Sequence, residues 1–382
     1  MKIGYDAKRA VNNNTGLGNY SRLVIDTIAS SGDDTLMLYA PRLRNNPRLM
    51  PLLERSNISL CLPDTPSGRR FPSLWRTRGI TKQLRRDHID LFHGLSNELP
   101  LGIADTDIPS VVTIHDIIFR RYPHCYKYID RKIYDYKFRK AAQTATRVIA
   151  ISECTRRDII DLYDIDPAKI DIVYQGCDPQ FGIPADALRI DAVRHKYGIT
   201  RPYIIGIGTV EWRKNQLLTV KALRNLPDDI IAVIVGRRTA YAKEIDRYIA
   251  ANSLSDRVLF IENADFTDFP ALYAGALLSS YPSRYEGFGI PVIESLSSGT
   301  PVIIASGSCL EEAAGKEAPV VSPDDVEAFV GYARRIIDDS DYRRSLVDAG
   351  RQHILQFSQQ NFAEGLRNSY RKAIETASAS QY

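Results

Sequence analysis

What the chain lacks narrows its chemistry. Five cysteines, at positions 61, 125, 154, 177 and 309, stand far apart in 382 residues. No CxxC and no Cys/His spacing joins them into a zinc site, so they read as buried thiols of a reducing compartment. No apolar run approaches the ~20 residues of a transmembrane helix, and no apolar signal core follows Met1. A cytoplasmic location is expected. The G-x-x-x-x-G-K-[ST] loop of a nucleoside triphosphatase is missing. The lone Gly16-Leu17-Gly18 is not the G-x-G-x-x-G with a downstream acid that marks a dinucleotide site. Acidic triplets at 105–107, 164–166 and 339–341 formally read DxD, but none sits at a predicted strand end, and no metal site is expected.

What is present is the composition of an ordinary globular chain, 44% hydrophobic and 25% charged, long enough for two or three domains. The net charge of +4 is unevenly placed: cations outnumber acids over residues 1–200, and the reverse holds beyond. A basic front half suits an anionic partner, whether nucleic acid, phospholipid or a phosphate-bearing substrate.

Short apolar runs alternate with helical stretches in two series. The first predicts strands at 2–5, 35–39, 91–93, 110–114, 147–151 and 170–173, with helices at 18–30, 126–145 and 153–162. The second predicts strands at 203–208, 230–235, 258–261, 277–281, 301–305 and 319–321, with helices at 216–225, 240–252, 270–274 and 290–298. This is the pattern of an α/β protein built from two doubly wound parallel sheets. Residues 179–202, with three prolines and no strand period, read as the hinge between them. In the tail, Phe362, Leu366, Tyr370 and Ala373 give 359–378 a helical period. Open parallel sheets bind ligands beyond the carboxyl ends of their strands, so two such domains are expected to share one cleft.

The most informative segment is Glu286-Gly287-Phe288-Gly289-Ile290-Pro291, closed three residues later by Glu294. It joins a predicted strand to a predicted helix, and Pro291 fits the first helical turn. A glycine-rich loop at a helix N-terminus lets a phosphate reach backbone N–H groups. The carboxylates, repelled by that phosphate, are suited to accept hydrogen bonds from hydroxyls on either side of it. The ligand implied is a nucleotide sugar, with Gly287, Phe288, Gly289 and Ile290 forming the loop around it.

The string Tyr285-Glu-Gly-Phe-Gly-Ile-Pro-Val-Ile-Glu294, followed by Ser298-Gly-Thr-Pro-Val-Ile303, resembles the signature of the retaining glycosyltransferases of family four, among them bacterial mannosyltransferases of polysaccharide biosynthesis. The resemblance implies the GT-B fold, two Rossmann-like doubly wound domains facing a central cleft. It implies an acceptor-binding domain at 1–185, with a C-terminal helix at 359–382 packing back on it, and a donor-binding domain at 200–358. It gives Glu286 the donor-sugar hydroxyls and Glu294 the ribose. Gly208-Thr209-Val-Glu-Trp-Arg213-Lys214 is similar to the family's pyrophosphate loop, although many relatives place an arginine directly after the glycine, where this chain has Thr209. Lys214, and Arg213 as the substitute cation, are therefore expected on the diphosphate. Gly16 and Gly18 match a loop that closes over the donor phosphate, and His115 matches a histidine that approaches the donor sugar. Arg237 is expected to reach the nucleotide, and His93 to line the acceptor side with Asn97 and Glu98. Ser152 is expected to cap the helix it precedes.

The function so implied is retaining transfer of a hexose, mannose from GDP-mannose, to a hydroxyl of a saccharide or lipid-linked acceptor in polysaccharide or lipopolysaccharide synthesis. The leaving phosphate oxygen would help deprotonate the acceptor, and no metal or other cofactor is expected. Other readings of the same residues are a nucleotide-sugar epimerase of similar architecture, a non-catalytic nucleotide-sugar sensor, or a basic nucleic-acid binder. Residues 69–86 carry seven cations and no acid, with Phe71, Leu74, Trp75, Ile80 and Leu84 among them. A second cluster at 131–140 adds Tyr134, Tyr136 and Phe138. Peripheral contact with an anionic membrane is favoured over nucleic acid for both.

Overall fold

The computed structural model describes residues 1–379, so residues 380–382 of the expected terminal helix lie outside the described residues. The chain forms two compact units, one of residues 1–175 with the terminal segment from Gln359, the other Gly176–Ser358. Among the described residues no helix is long and apolar enough to cross a membrane.

The first unit is built on seven strands: β1 Lys2–Asp6, β2 Thr35–Tyr39, β3 Ile58–Cys61, β4 Leu91–Gly94, β5 Ser110–Ile114, β6 Arg147–Ala150 and β7 Ile170–Ile172. Their order is β3-β2-β1-β4-β5-β6-β7 and all neighbours run parallel. The β-branched run of β5 is buried along its whole length, as a strand covered on both faces requires. Strand β3 escapes the sequence pattern because it is an edge strand in which only Ile58 is fully buried. Helix Gly16–Ser30 packs Val24, Ile25 and Ile28 inward. Helix Gln359–Ala379 buries Phe362, Leu366, Tyr370 and Ala373 within this unit.

The second unit holds β8 Tyr203–Ile207, β9 Ile231–Val235, β10 Val258–Ile261, β11 Leu278–Tyr281, β12 Val302–Ala305 and β13 Val320–Val321. Their order is β10-β9-β8-β11-β12-β13, again parallel throughout. Helices Val326–Asp338 and Ser340–Ile354, N-capped by Asp325 and Asp339, complete its layers. Strand order reverses once in each sheet, between β1 and β4 and between β8 and β11. Such switch points leave a crevice at the carboxyl edge.

The expected hinge is corrected. Residues 179–202 are no linker: Phe181, Val193 and Ile199 pack with Tyr203 in the core of the second unit, and Asp186 caps helix Ala187–Lys196. The units accordingly divide between Gln175 and Gly176, ten residues before the expected end at 185. The prolines mislead because they lie within a packed segment, Pro179 opening a single helical turn there, instead of marking a solvated one. The cysteines are all free, but only Cys154 and Cys309 are buried, and Cys125 is exposed.

Candidate active site

The switch point of the second unit gathers the charged residues. Arg213 and Lys214 lie in a short turn after β8, and Glu286 follows β11, the neighbouring strand. Glu286 receives Lys214 Nζ on Oε1 and Arg213 on Oε2, each at 2.7 Å. All three side chains are largely buried. Burial alone would push the Glu286 carboxyl up, but Lys214 and Arg213 outweigh it and hold it at about 2. Burial likewise opposes the charge on Lys214, and Glu286 overrides it, raising the ammonium above its ordinary value. The triad is therefore ionised across the physiological range.

Neighbours fix this geometry. Lys214 also donates to the Tyr281 hydroxyl at the end of β11, and its Nζ lies 4.8 Å from that ring's centroid. Arg213 donates to the Tyr285 carbonyl at 2.6 Å and to Glu211 at 2.6 Å. The Cys309 thiol reaches the carbonyls of Glu286 at 3.1 Å and Phe288 at 2.7 Å, pinning the glycine loop from beneath. Gly289 has φ +125°, and a Cβ there would meet Leu310 at 3.0 Å, so the turn admits only glycine. Gly287 and Ile290 are half-buried around it. Phe288 is buried, its ring 5.3 Å from that of Phe357, and supports the loop instead of lining it.

Helix Ile290–Ser297 follows directly, with Pro291 in its first turn. Glu294 sits on its buried face, where Tyr273 donates to Oε2 at 3.4 Å. Burial raises this carboxyl to about 8, so it is protonated at neutral pH. The two glutamates of one motif thus differ in charge because two cations contact Glu286, whereas at Glu294 the pull of Lys214 is outweighed by burial. Thr209 is half-buried next to Gly208, its carbonyl accepting from Gln216 at 3.0 Å. Arg237 is exposed at the carboxyl end of β9, on a loop joined to the β8 loop where Val210 N–H donates to its carbonyl at 2.9 Å.

In the first unit, helix Gly16–Ser30 follows the short helix Lys8–Asn12 that succeeds β1, and His115 follows β5. They meet through Tyr20, whose ring stands edge-on 4.5 Å from His115 and whose hydroxyl lies 3.0 Å from Thr113 Oγ1. A Cβ on Gly18 would fall 1.8 Å from the Asn13 carbonyl oxygen, whereas one on Gly16 meets nothing within 4 Å. Arg22, unnoticed in the sequence, locks this loop by donating to the carbonyls of Ala10 and Asn13, both at 2.8 Å, and to Asn19 at 2.6 Å. His115 is buried, and burial lowers its imidazole to about 4. Its Nε2 lies 2.9 Å from the Leu95 carbonyl oxygen, which only accepts, so Nε2 carries the proton and Nδ1 is the acceptor.

Two expectations for this unit are corrected. His93 does not line a surface: it is fully buried, with Nδ1 2.8 Å from the Tyr370 hydroxyl and Nε2 2.9 Å from Thr113 Oγ1. Asn97 instead accepts from the His115 backbone N–H at 2.7 Å, orienting that residue. In the basic run, Trp75, Ile80 and Leu84 turn inward as core, and only Phe71 and Leu74 of the five apolar residues are exposed. Ser152 caps its helix as expected, accepting from Thr155 N–H at 2.9 Å. The acids of two DxD triplets, Asp166 and Asp339, are also helix caps.

Comparison with known proteins bears on this arrangement. Residues 190–353 match the family described as glycosyl transferases group 1, and residues 16–181 match glycosyltransferase family 4. The O-antigen chain mannosyltransferase B of Escherichia coli is 28% identical over 297 residues, 75% of each chain. The O-antigen chain mannosyltransferase RfbU of Salmonella typhimurium is 27% identical over 59% of this chain and 60% of its own length. Among solved structures, HepE of Anabaena in complex with UDP and glucose superposes with a TM-score of 0.76 at 19% identity, covering 97% of this chain and 99% of that one. Sucrose-phosphate synthase of Thermosynechococcus elongatus gives 0.76 at 18% identity, over 97% and 98%. The fold is GT-B.

Proposed function

The chain belongs to the glycosyltransferases of group 1 and family 4, and from that premise we propose that it transfers mannose from GDP-mannose, with retention, to a hydroxyl of a saccharide or lipid-linked saccharide in surface polysaccharide synthesis. The observation that carries this reading is the ionised Lys214–Glu286–Arg213 triad at the carboxyl-edge switch point of the second sheet. The names of the Escherichia coli and Salmonella relatives support the sugar and the kind of product.

Breaking the bond between the sugar's anomeric carbon and the phosphate oxygen places negative charge on the departing diphosphate. Lys214 and Arg213 stabilise that charge as it develops, helped by the N-terminus of helix Ile290–Ser297. Glu286 accepts a donor-sugar hydroxyl and Glu294 takes the ribose. The Gly16–Gly18 loop and Arg237 hold the remainder of the nucleotide sugar. His115, neutral with Nδ1 as acceptor, takes a further sugar hydroxyl. The acceptor oxygen attacks the same face that the diphosphate leaves, and its proton passes to the leaving phosphate oxygen. No enzymic nucleophile enters the reaction, and the cations take the place of a divalent ion. Exposed Phe71 and Leu74 beside Arg69 and Arg70 make the peripheral contact with an anionic membrane.

The test is turnover of GDP-, UDP- and ADP-hexoses with saccharide acceptors, the product's anomeric configuration being read by proton NMR. Transfer from GDP-mannose with the donor's configuration kept is expected. Inverted product, transfer confined to uridine donors, or an altered stereocentre on nucleotide-bound sugar overturns it.

A further inference from the structure

A cavity lies wholly within the first unit. It holds about 430 Å³, inside the roughly 300–1,000 Å³ common for ligand pockets. One wall is the segment 99–102 after β4, and the other is helix Tyr128–Thr144. Its floor is an ion network. Arg76 donates to Asp6 at 2.5 Å and to Glu98 at 2.7 Å, and Lys137 stands 3.4 Å from Glu98. Asp6 ends β1 and Glu98 follows β4, so this floor lies at the switch point of the seven-stranded sheet. Arg76 is carried there by a single π-helical turn, Trp75–Gly79, a distortion frequent at functional sites.

The wall contributed by the helix is unlike a solvated helix face. Ile129, Ile133 and Tyr136 share a stripe with Lys132, Lys137 and Lys140 at spacings of three and four residues. Ile129 is 70% exposed and Tyr136 is 60% exposed, both at the cavity. Among the described residues Lys132 and Lys140 have no carboxylate partner, whereas the floor's cations are paired. Apolar walls over a charge-balanced floor, with unneutralised cations on the helix wall, describe the complement of an amphiphile. Its hydrocarbon chain would cover the isoleucines, and its anionic group would meet the lysines. The site is concave, which suits one threaded chain better than a flat bilayer surface.

Resting on the transfer reading above, we propose that this cavity binds the lipid carrier of the acceptor, a long-chain prenyl or alkyl phosphate or diphosphate. Ile129, Ile133 and Leu101 hold its chain and Lys132 and Lys140 hold its phosphate. The saccharide then projects from a fixed point on the same sheet edge that bears His115.

The test uses the full chain, farnesyl diphosphate as the probe, and the variants Ile133→Gln and Lys132→Glu/Lys140→Glu. These positions are exposed, so folding is expected to survive, and circular dichroism with the melting temperature checks it. Calorimetry is run with the donor site saturated by GDP. Farnesyl diphosphate is expected to bind wild type, and each variant to bind at least tenfold more weakly. Farnesol and inorganic pyrophosphate, each lacking half of the amphiphile, are expected to bind at least tenfold more weakly than the intact probe. In the transfer assay, KM for a prenyl-diphosphate-linked acceptor should rise at least tenfold in the variants, while kcat and KM for the same saccharide without lipid stay unchanged. Absence of probe binding to wild type, or equal binding by the variants, overturns the assignment, as does binding of pyrophosphate as tight as the whole probe. Because the binding arm needs no turnover, a wild-type protein that binds the probe but transfers no sugar would count against the transfer reading alone.

Discussion

Lys214 Nζ sits 2.7 Å from Glu286 Oε1, a contact made between two neighbouring strands' loops and mirrored by Arg213 on the other oxygen. Each charge here is tolerable because the others are present. Lys214→Met should therefore cost stability, roughly 3 kcal/mol, the low end for breaking a buried pair because Arg213 still balances Glu286. It should also lower kcat/KM by about 10²–10³ through lost stabilisation of the leaving diphosphate. Adding Glu286→Gln should not restore stability, because it takes from the largely buried Arg213 the carboxylate that still balanced it. Urea unfolding of the two variants and steady-state kinetics of Lys214→Met check this, and wild-type activity in Lys214→Met would remove Lys214 from the reaction.

Glu294 makes the stability depend on pH. Its carboxyl is raised from 4.5 to about 8, so its contribution to stability is fully present below 4.5 and is lost as pH rises through 8. Each pH unit across that window should weaken the wild type by up to about 1.4 kcal/mol relative to Glu294→Gln. Melting curves of both proteins from pH 5 to pH 9 measure the divergence. Parallel curves would show a carboxyl ionised throughout.

The motif residues are legible in the sequence because their chemistry is local: Glu286 lies on the loop after one strand and Lys214 on the loop after its neighbour, and each loop has its own string. Strand identity is legible for the same reason, since fully buried runs such as Ser110–Ile114 need no partner to be seen. What stays hidden depends on distant pairing. Nothing near His93 announces Tyr370, 277 positions away, which turns a supposed surface histidine into core. Asp6 and Arg76 are 70 positions apart, and the basic run reads as one membrane-facing surface until Arg76 is seen paired and Trp75 buried. Residue type alone also leaves open which glutamate of the motif is charged, because that is decided by cations from another loop.

Gly16 and Gly18 separate a steric requirement from a functional one. Gly18→Ala places a methyl 1.8 Å from the Asn13 carbonyl oxygen, against backbone that Arg22 holds in place, so the loop must shift. Gly16→Ala meets open space. Gly18→Ala is expected to lower the melting temperature by several degrees, the scale of about 1–2 kcal/mol. Gly16→Ala is expected to melt like wild type but to weaken donor binding, if a phosphate approaches that backbone. Differential scanning fluorimetry and donor titration distinguish them, and unchanged donor affinity in Gly16→Ala would take Gly16 out of the phosphate loop.

His115 provides the sharpest readout of the first unit. Burial depresses its pKa from 6.5 to about 4, so its contribution to stability is complete above 6.5 and disappears as pH falls through 4. The Leu95 carbonyl fixes the proton on Nε2, leaving Nδ1 as a lone-pair acceptor at every working pH. Nitrogen-15 NMR of labelled histidine should therefore show the Nε2–H tautomer from pH 5 to pH 8, with a midpoint near 4. His115→Ala should lower kcat/KM by about tenfold, the scale of one hydrogen bond near 1.4 kcal/mol, without adding or removing an inflection between pH 5 and pH 8. A midpoint near 6.5, or a kinetic inflection there that vanishes with His115→Ala, would mean that the imidazole works as a proton donor and not as a neutral acceptor.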